Sequence, residues 1–234
     1  MLIYLRLVAI AITSYLIGSI PWGLIISKKF FGFDIRKKGS GNIGSTNVFR
    51  ILGIKWGIIV QALDISKGVL AVLIASWIGK NISIPNITGF SDIIIIQFCA
   101  GLVAVFGHAF SIFAQFKGGK GINTALGMLI AIAPIDLSIS ILIFILAVIF
   151  SGYISLGSIS AALALPSSLF MRYNIFHIHI PAYHFLIYAS IGLAVFIIYT
   201  HRKNIIRLLK GTENYFAKLQ LIKVKFLQPK NLSK

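Results

Sequence analysis

Acidic residues are nearly missing from this chain. Its 234 residues include 5 Asp and Glu against 22 Lys and Arg, a formal net charge of +17, and charged residues make up only 12%. A soluble domain carries about a quarter charged residues, so a soluble globular fold is excluded. Cysteine is scarcer still. The lone Cys99 lies inside an apolar run, which excludes a disulfide framework and any metal site of cysteine spacing. What remains is oily: 58% of the residues are hydrophobic. Several runs reach the roughly 20 residues that a helix needs to cross a hydrocarbon core. The chain reads as an all-α integral membrane protein with one transmembrane domain over residues 1–213 and a basic tail over 214–234.

Several catalytic signatures are absent as well. There is no H-x-x-x-x-D pair and no G-x-S-x-G elbow. Gly118-Gly119-Lys120-Gly121 lacks the hydroxyl that a P-loop places after its lysine. Gly39, Gly41 and Gly44 spell G-x-G-x-x-G with Asp64 twenty residues on. That fingerprint needs a preceding strand and a βαβ unit; here a basic loop precedes it and Asp64 falls in an apolar span, so a dinucleotide site is rejected. The early apolar stretch Leu7 to Ile17 has no small-x-small cleavage site after it and reads as a first span, not a signal peptide.

The candidate spans are Leu2–Ser27, Ile51–Ile78, Ile93–Phe113 and His184–Thr200, with a long apolar region from Ile122 to Phe170. Breaks at Ala133-Pro134-Ile135-Asp136 and Ser151-Gly152-Tyr153 cut that region into three pieces of roughly 13 to 18 residues, short for spanning helices. Basic residues set the count. Lys28, Lys29, Arg36, Lys37, Lys38 and Arg50 face one acidic Asp34 in the first loop, and nine Lys/Arg follow His201. Both segments belong in the cytoplasm by the positive-inside rule, which accounts for the net charge without nucleic acid. Lys117 and Lys120 lie two spans after the first loop, on the same side. An even number of spans then separates them from the tail, so the long region supplies an odd number. One helix of about 49 residues would be about 73 Å long, far too much. Three pieces give seven spans, with the N-terminus outside and the C-terminus in the cytoplasm.

This count puts four polar clusters on the cytoplasmic face: Ser40 to Arg50, Phe116 to Gly121, Ser155 to Ser158 and His201 to Glu213. In the first, glycines such as Gly41 let backbone amides approach an anion. Ser40, Asn42, Thr46 and Asn47 add neutral donors, and Arg50 can grip a phosphate through two bonds. In the second, Lys117, Gly118, Gly119 and Lys120 open a helix, and a helix N-terminus favours anions. His201, at the end of the last span with Asn204 beside it, is a candidate general base near neutral pH. Asp64 and Lys67 are three apart on one helix face; buried charges either pair or serve a site, and both readings stand. Pro21 should kink the first span, with Gly18, Ser19 and Gly23 allowing close packing or a groove for a lipid chain. His177, His179 and His184 invite a metal reading, but no Cys, Asp or Glu joins them, and a polar loop is preferred. In the tail, Tyr215, Leu219, Ile222 and Phe226 fall on one helical face flanked by Lys218, Lys223 and Lys225. An interfacial helix holding membrane lipids and a disordered basic tail both remain open.

GSIPWG, SGNIGSTN, DISKG, GHAFSIFAQFKGGKG and HRKNIIRLLKGTE, in this order and spacing, resemble the bacterial acyl-phosphate:glycerol-3-phosphate acyltransferase family from Gly18 to Glu213. The resemblance implies a seven-helix bundle in the bacterial inner membrane with its site on the cytoplasmic face. It implies transfer of a fatty acyl group from acyl phosphate to the 1-position of glycerol 3-phosphate, giving lysophosphatidic acid, without metal or other cofactor. By motif it carries over His201, Asn204 and Ser40 as catalytic residues, and Arg50, the Gly118–Lys120 stretch, Ser158 as a phosphate-binding serine, and Glu213 as groups that bind the substrates and their phosphates. Ser45 stands where the family usually has Ala, Ser111 where Pro is usual, and Asn123 where Ala is common. The alternative is a transporter of a small phosphorylated anion. Transporters tend to carry internal repeats with sites near the midplane, and no repeat is found.

Overall fold

The computed structural model describes residues 1–84, 90–216 and 220. The tail residues Leu219, Ile222, Phe226, Lys218, Lys223 and Lys225 lie outside the described residues. All the regular structure described is helical. The chain divides into two compact units, Met1–Pro134 and Ile135–Lys234.

The first unit begins with α1 (Leu2–Ser19) and α2 (Trp22–Phe31). Sequence predicts a kink at Pro21; the structure shows a full break. Proline supplies no N–H to continue the ladder, and the carbonyls freed at the end of α1 need other donors. Lys67 Nζ reaches Gly18 O at 3.1 Å and Ile20 O at 2.9 Å. Ser111 Oγ donates to Ser19 O. After a loop come α3 (Ser45–Leu52) and α4 (Ile54–Gly79), separated by Gly53 at φ +87°. Then follow α5 (Asp92–Ala109) and α6 (Ile122–Ile132).

α4 packs on α1, α5 and α6. With no hydrophobic drive between helices in lipid, small residues that let backbones touch hold such contacts together. A Cβ on Gly68 would lie 2.0 Å from Thr124 O, and one on Gly127 would lie 1.9 Å from Ile65 O.

The second unit contains α7 (Pro134–Ser151), α8 (Ile154–Phe170) with a π turn through Ile175, α9 (Tyr183–Thr200) and the short α10 (Arg202–Leu209). The start of α7 is tied to the end of α8 by Asp136, whose oxygens accept from Ser168 Oγ and Arg172 Nη1, each at 2.6 Å. A buried carboxylate is tolerable there because both oxygens are bonded. At the start of α9, His184 lies edge-on to Tyr173 and Tyr183.

Among the described residues, six segments are long and apolar enough to cross a membrane: Leu2–Phe31, Ile54–Gly79, Asp92–Ala114, Pro134–Ser151, Ile154–Ile175 and Tyr183–Thr200. α6 is apolar but only 11 residues long, about 17 Å at 1.5 Å per residue. The sequence breaks at Ala133 and at Gly152-Tyr153 fall where the helices end. The short helices α3 and α10 were not visible as such; both lie in segments read as polar loops.

Candidate active site

The Ser40–Arg50 loop of the first unit is shaped by one side chain. Asn47, 1% exposed, accepts from Ser40 N at 2.9 Å and donates to Lys38 O at 3.0 Å, Asn42 O at 2.9 Å and Ile35 O at 3.4 Å. Its carboxamide is thus committed to the loop backbone. Asn42 Oδ1 accepts from Gly44 N at 2.8 Å, closing an Asx turn at the entry to α3. Gly39 and Gly41 sit at φ +60° and +72°, where a side chain is strained. The Ser40 side chain is exposed, and Arg50 lies in the last turn of α3.

Asp34 anchors the same loop. The Arg36 guanidinium bonds both its oxygens, at 2.7 to 3.1 Å. That bond, with the Arg36 N–H and the nearby charges of Arg36 and Lys28 against the opposing effect of burial, lowers its pKa to about 2. Arg36 Nη1 also donates to Ala114 O at 3.1 Å, which ties this loop to the one after α5.

The glycine loop differs from its sequence reading. Gly118 N donates to Ala109 O at 3.2 Å and Gly119 N to His108 O at 3.0 Å. These amides cap the C-terminal carbonyls of α5 and do not point freely at an anion. The glycines are there for contact: a Cβ on Gly118 would lie 2.0 Å from His108 O, and one on Gly119 would lie 2.0 Å from His108 Nε2. Lys117 is exposed and Lys120 half-buried. Gly121 caps α6 at φ +82°, leaving the first-turn N–H groups of that helix as its anion donors. Asn123 Nδ2, in that turn, donates to Ser45 Oγ at the start of α3, at 2.9 Å.

His108 was not singled out from sequence. It is buried, with Nδ1 3.0 Å from Lys67 Nζ. Lys67 in turn pairs with Asp64 at 2.8 Å. Its place in the GHAF string, one residue before the end of α5, was the available signal.

In the second unit, His201 caps α9 and is 1% exposed. Its Nδ1 lies 2.8 Å from Ile197 O. A carbonyl only accepts, so Nδ1 carries a proton, and in the neutral ring Nε2 is the basic nitrogen. Asn204 N donates to His201 O at 2.8 Å, while Asn204 Nδ2 donates to Glu213 Oε1 at 2.7 Å. Glu213 also accepts from Ser155 Oγ at 3.1 Å and, through Oε2, from Arg207 Nε at 2.7 Å. The carboxylate therefore joins α10 to the first turn of α8. Burial, with Tyr215 and Glu213 beside it, raises the Tyr153 phenol above its ordinary range, so it stays a neutral hydroxyl at physiological pH. Ser158 Oγ donates back to Ile154 O at 3.1 Å; its oxygen would have to turn to donate to a ligand.

A family model for glycerol-3-phosphate acyltransferase matches residues 8–211. The chain belongs to this family. A glycerol-3-phosphate acyltransferase of Chlorobaculum tepidum is 45% identical over 225 residues, covering 90% of this chain and 96% of that one. One from Chlorobium phaeobacteroides is also 45% identical, over 231 residues, with the same coverage. The crystal structure of PlsY (YgiH), an integral membrane glycerol 3-phosphate acyltransferase in its glycerol 3-phosphate form, superposes with a TM-score of 0.76. It is 37% identical and covers 91% of this chain and 96% of that one. Its lysophosphatidic acid form superposes with a TM-score of 0.74 at 36% identity. The chain is accordingly an integral membrane acyltransferase of the glycerol-3-phosphate acyltransferase family.

Proposed function

We propose that the chain transfers a fatty acyl group from acyl phosphate to the 1-hydroxyl of glycerol 3-phosphate, releasing phosphate and lysophosphatidic acid. The 1-oxygen attacks the acyl carbonyl carbon, the carbon–oxygen bond to phosphate breaks, and the hydroxyl proton leaves for a base. Acyl phosphate is a mixed anhydride with a good leaving group, so no acyl-enzyme is required. The protein needs to position two anions, accept a proton and stabilise charge. His201 Nε2 is the proton acceptor. The observation that carries this is the Nδ1 contact to Ile197 O, which holds the imidazole in the tautomer a base requires.

Arg50 and Lys120 take substrate phosphates, with the first-turn amides of α6 and, as the more exposed groups, Ser40 and Lys117. Asn42, Asn47 and Gly41 act by holding the first loop in shape. Glu213 and Asn204 position α10 on α8 instead of meeting a phosphate: a carboxylate would repel one, and both Glu213 oxygens are bonded. Ser158 contributes by rotating its hydroxyl. We count α6 as a seventh, short span, with the N-terminus outside, the C-terminus in the cytoplasm and the site on the cytoplasmic face of the bacterial inner membrane. Residues 1–213 act as one catalytic domain, since the family match at 8–211 runs through both units.

The test is phosphate release by purified protein given acyl phosphate and glycerol 3-phosphate. Acyl-coenzyme A is the control donor, and NMR of the product reads the acylated position. Turnover with acyl-coenzyme A but not acyl phosphate, or a 2-acyl product, would overturn the reading.

A further inference from the structure

A buried charge pair explains Asp64 and Lys67 only in part. Both side chains are 2% exposed and their N–O distance is 2.8 Å, which suffices for pairing. Lys67 does more. Its Nζ also reaches Gly18 O, Ile20 O and His108 Nδ1, at 3.1, 2.9 and 3.0 Å. As the ammonium paired with Asp64 it can only donate, so His108 Nδ1 accepts and the ring proton sits on Nε2. The Nε2 edge lies against Gly119, whose N–H is bonded to the carbonyl of His108 itself. Ring and main chain of one residue therefore form the mould of the Gly118–Gly119 loop, and Lys120 follows directly.

The other two Lys67 contacts run to the break before α2. That helix carries Gly23, where a Cβ would lie 2.0 Å from Ile43 O, inside the Ser40–Arg50 loop. One ammonium thus braces the segments leading to both basic loops.

We propose that Lys67 and His108 are positioning residues: Lys67 fixes the plane and tautomer of the His108 ring, and the ring fixes the backbone that presents Lys120 to a substrate phosphate. This rests on the assignment of Lys120 to glycerol 3-phosphate or acyl phosphate made above.

The test uses the full-length protein in detergent. Nitrogen-15 NMR of the His108 side chain, identified by its disappearance in His108→Asn, reads the tautomer in the unsubstituted protein. The expected result is an Nε2–H imidazole; an Nδ1–H imidazole overturns the proposal. Kinetics then separate positioning from folding. His108→Leu and Lys67→Met should raise KM for one phosphate substrate at least ten-fold, with a smaller change in kcat. His108→Asn, which keeps an acceptor at the Nδ1 place, should recover part of that loss. An unchanged KM in His108→Leu, beside a raised KM in Lys120→Ala, overturns the proposal. An unchanged KM in Lys120→Ala overturns the phosphate assignment instead, and the tautomer result tells the two failures apart.

Discussion

His201 Nδ1 stands 2.8 Å from the carbonyl oxygen of Ile197, one turn earlier in the same helix. No substitution can remove that acceptor, because it belongs to the backbone. The tautomer is therefore built into the helix end. With His201 as the base, His201→Gln should lower kcat by about 100- to 10,000-fold, the usual worth of a positioned base, and leave KM nearly unchanged. The acidic limb of the pH–rate profile should vanish with it. A loss under about ten-fold with the same pH profile would move the proton to a substrate phosphate oxygen.

Asn47 meets four backbone groups with one carboxamide. Asn47→Ala removes all four contacts; Ile35 O keeps its bond from Lys38 N, and water replaces the partners nearer the surface. Each hydrogen bond lost is worth about 0.5–1.5 kcal/mol net, so a lower thermal midpoint is expected. Asn47→Asp should fare no better: it keeps the acceptor for Ser40 N but sets a carboxylate oxygen against three carbonyls. Melting in detergent, read beside KM, tests both. Wild-type stability in Asn47→Ala would remove Asn47 from its role as the loop's staple.

Much of this was legible and some was not, for physical reasons. The helix ends at Ala133 and Gly152, and an interruption at Pro21 that was read only as a kink, follow from local backbone chemistry, which sequence exposes directly. The pairing of Asp64 with Lys67 follows from helical spacing. His108 does not, because it lies 41 residues from Lys67 and only the packing of α4 on α5 brings them together. Asn47 looks the same in a string whether its amide holds a ligand or a loop. The glycines of FKGGKG were read as open amides; in space they cap α5 and make room for an imidazole. Ser45 and Asn123 were noted as separate departures from the family pattern, and the structure bonds them to each other.

The Asp34–Arg36 pair predicts a response to acid. The carboxyl pKa is lowered to about 2 in the fold, below its ordinary value near 3.9. Its stabilisation is therefore complete above about pH 4 and is lost as pH falls toward 2. Asp34→Asn should remove that part of the acid dependence and weaken the tie from Arg36 to Ala114. Thermal midpoints between pH 2 and 5 check this: the difference between wild type and variant should shrink toward the acid end. A constant difference across that range would mean that Asp34 does not titrate as the geometry requires.

The Ser45–Asn123 bond joins the starts of two helices, α3 and α6, each with first-turn N–H groups to offer an anion. Neither side chain is needed to hold its own helix, so deleting one leaves a small local defect. What the pair adds is a fixed spacing between the two helix starts. A hydrogen bond of this kind contributes about 0.5–1.5 kcal/mol net. In a double-mutant cycle, Ser45→Ala and Asn123→Ala should each raise KM for glycerol 3-phosphate about two- to ten-fold, and the double variant should cost no more than the worse single one. Their coupling is then about 1 kcal/mol, well beyond the scatter of independent sites. Fully additive effects would mean that each residue acts alone and that the spacing between the helix starts does not govern binding.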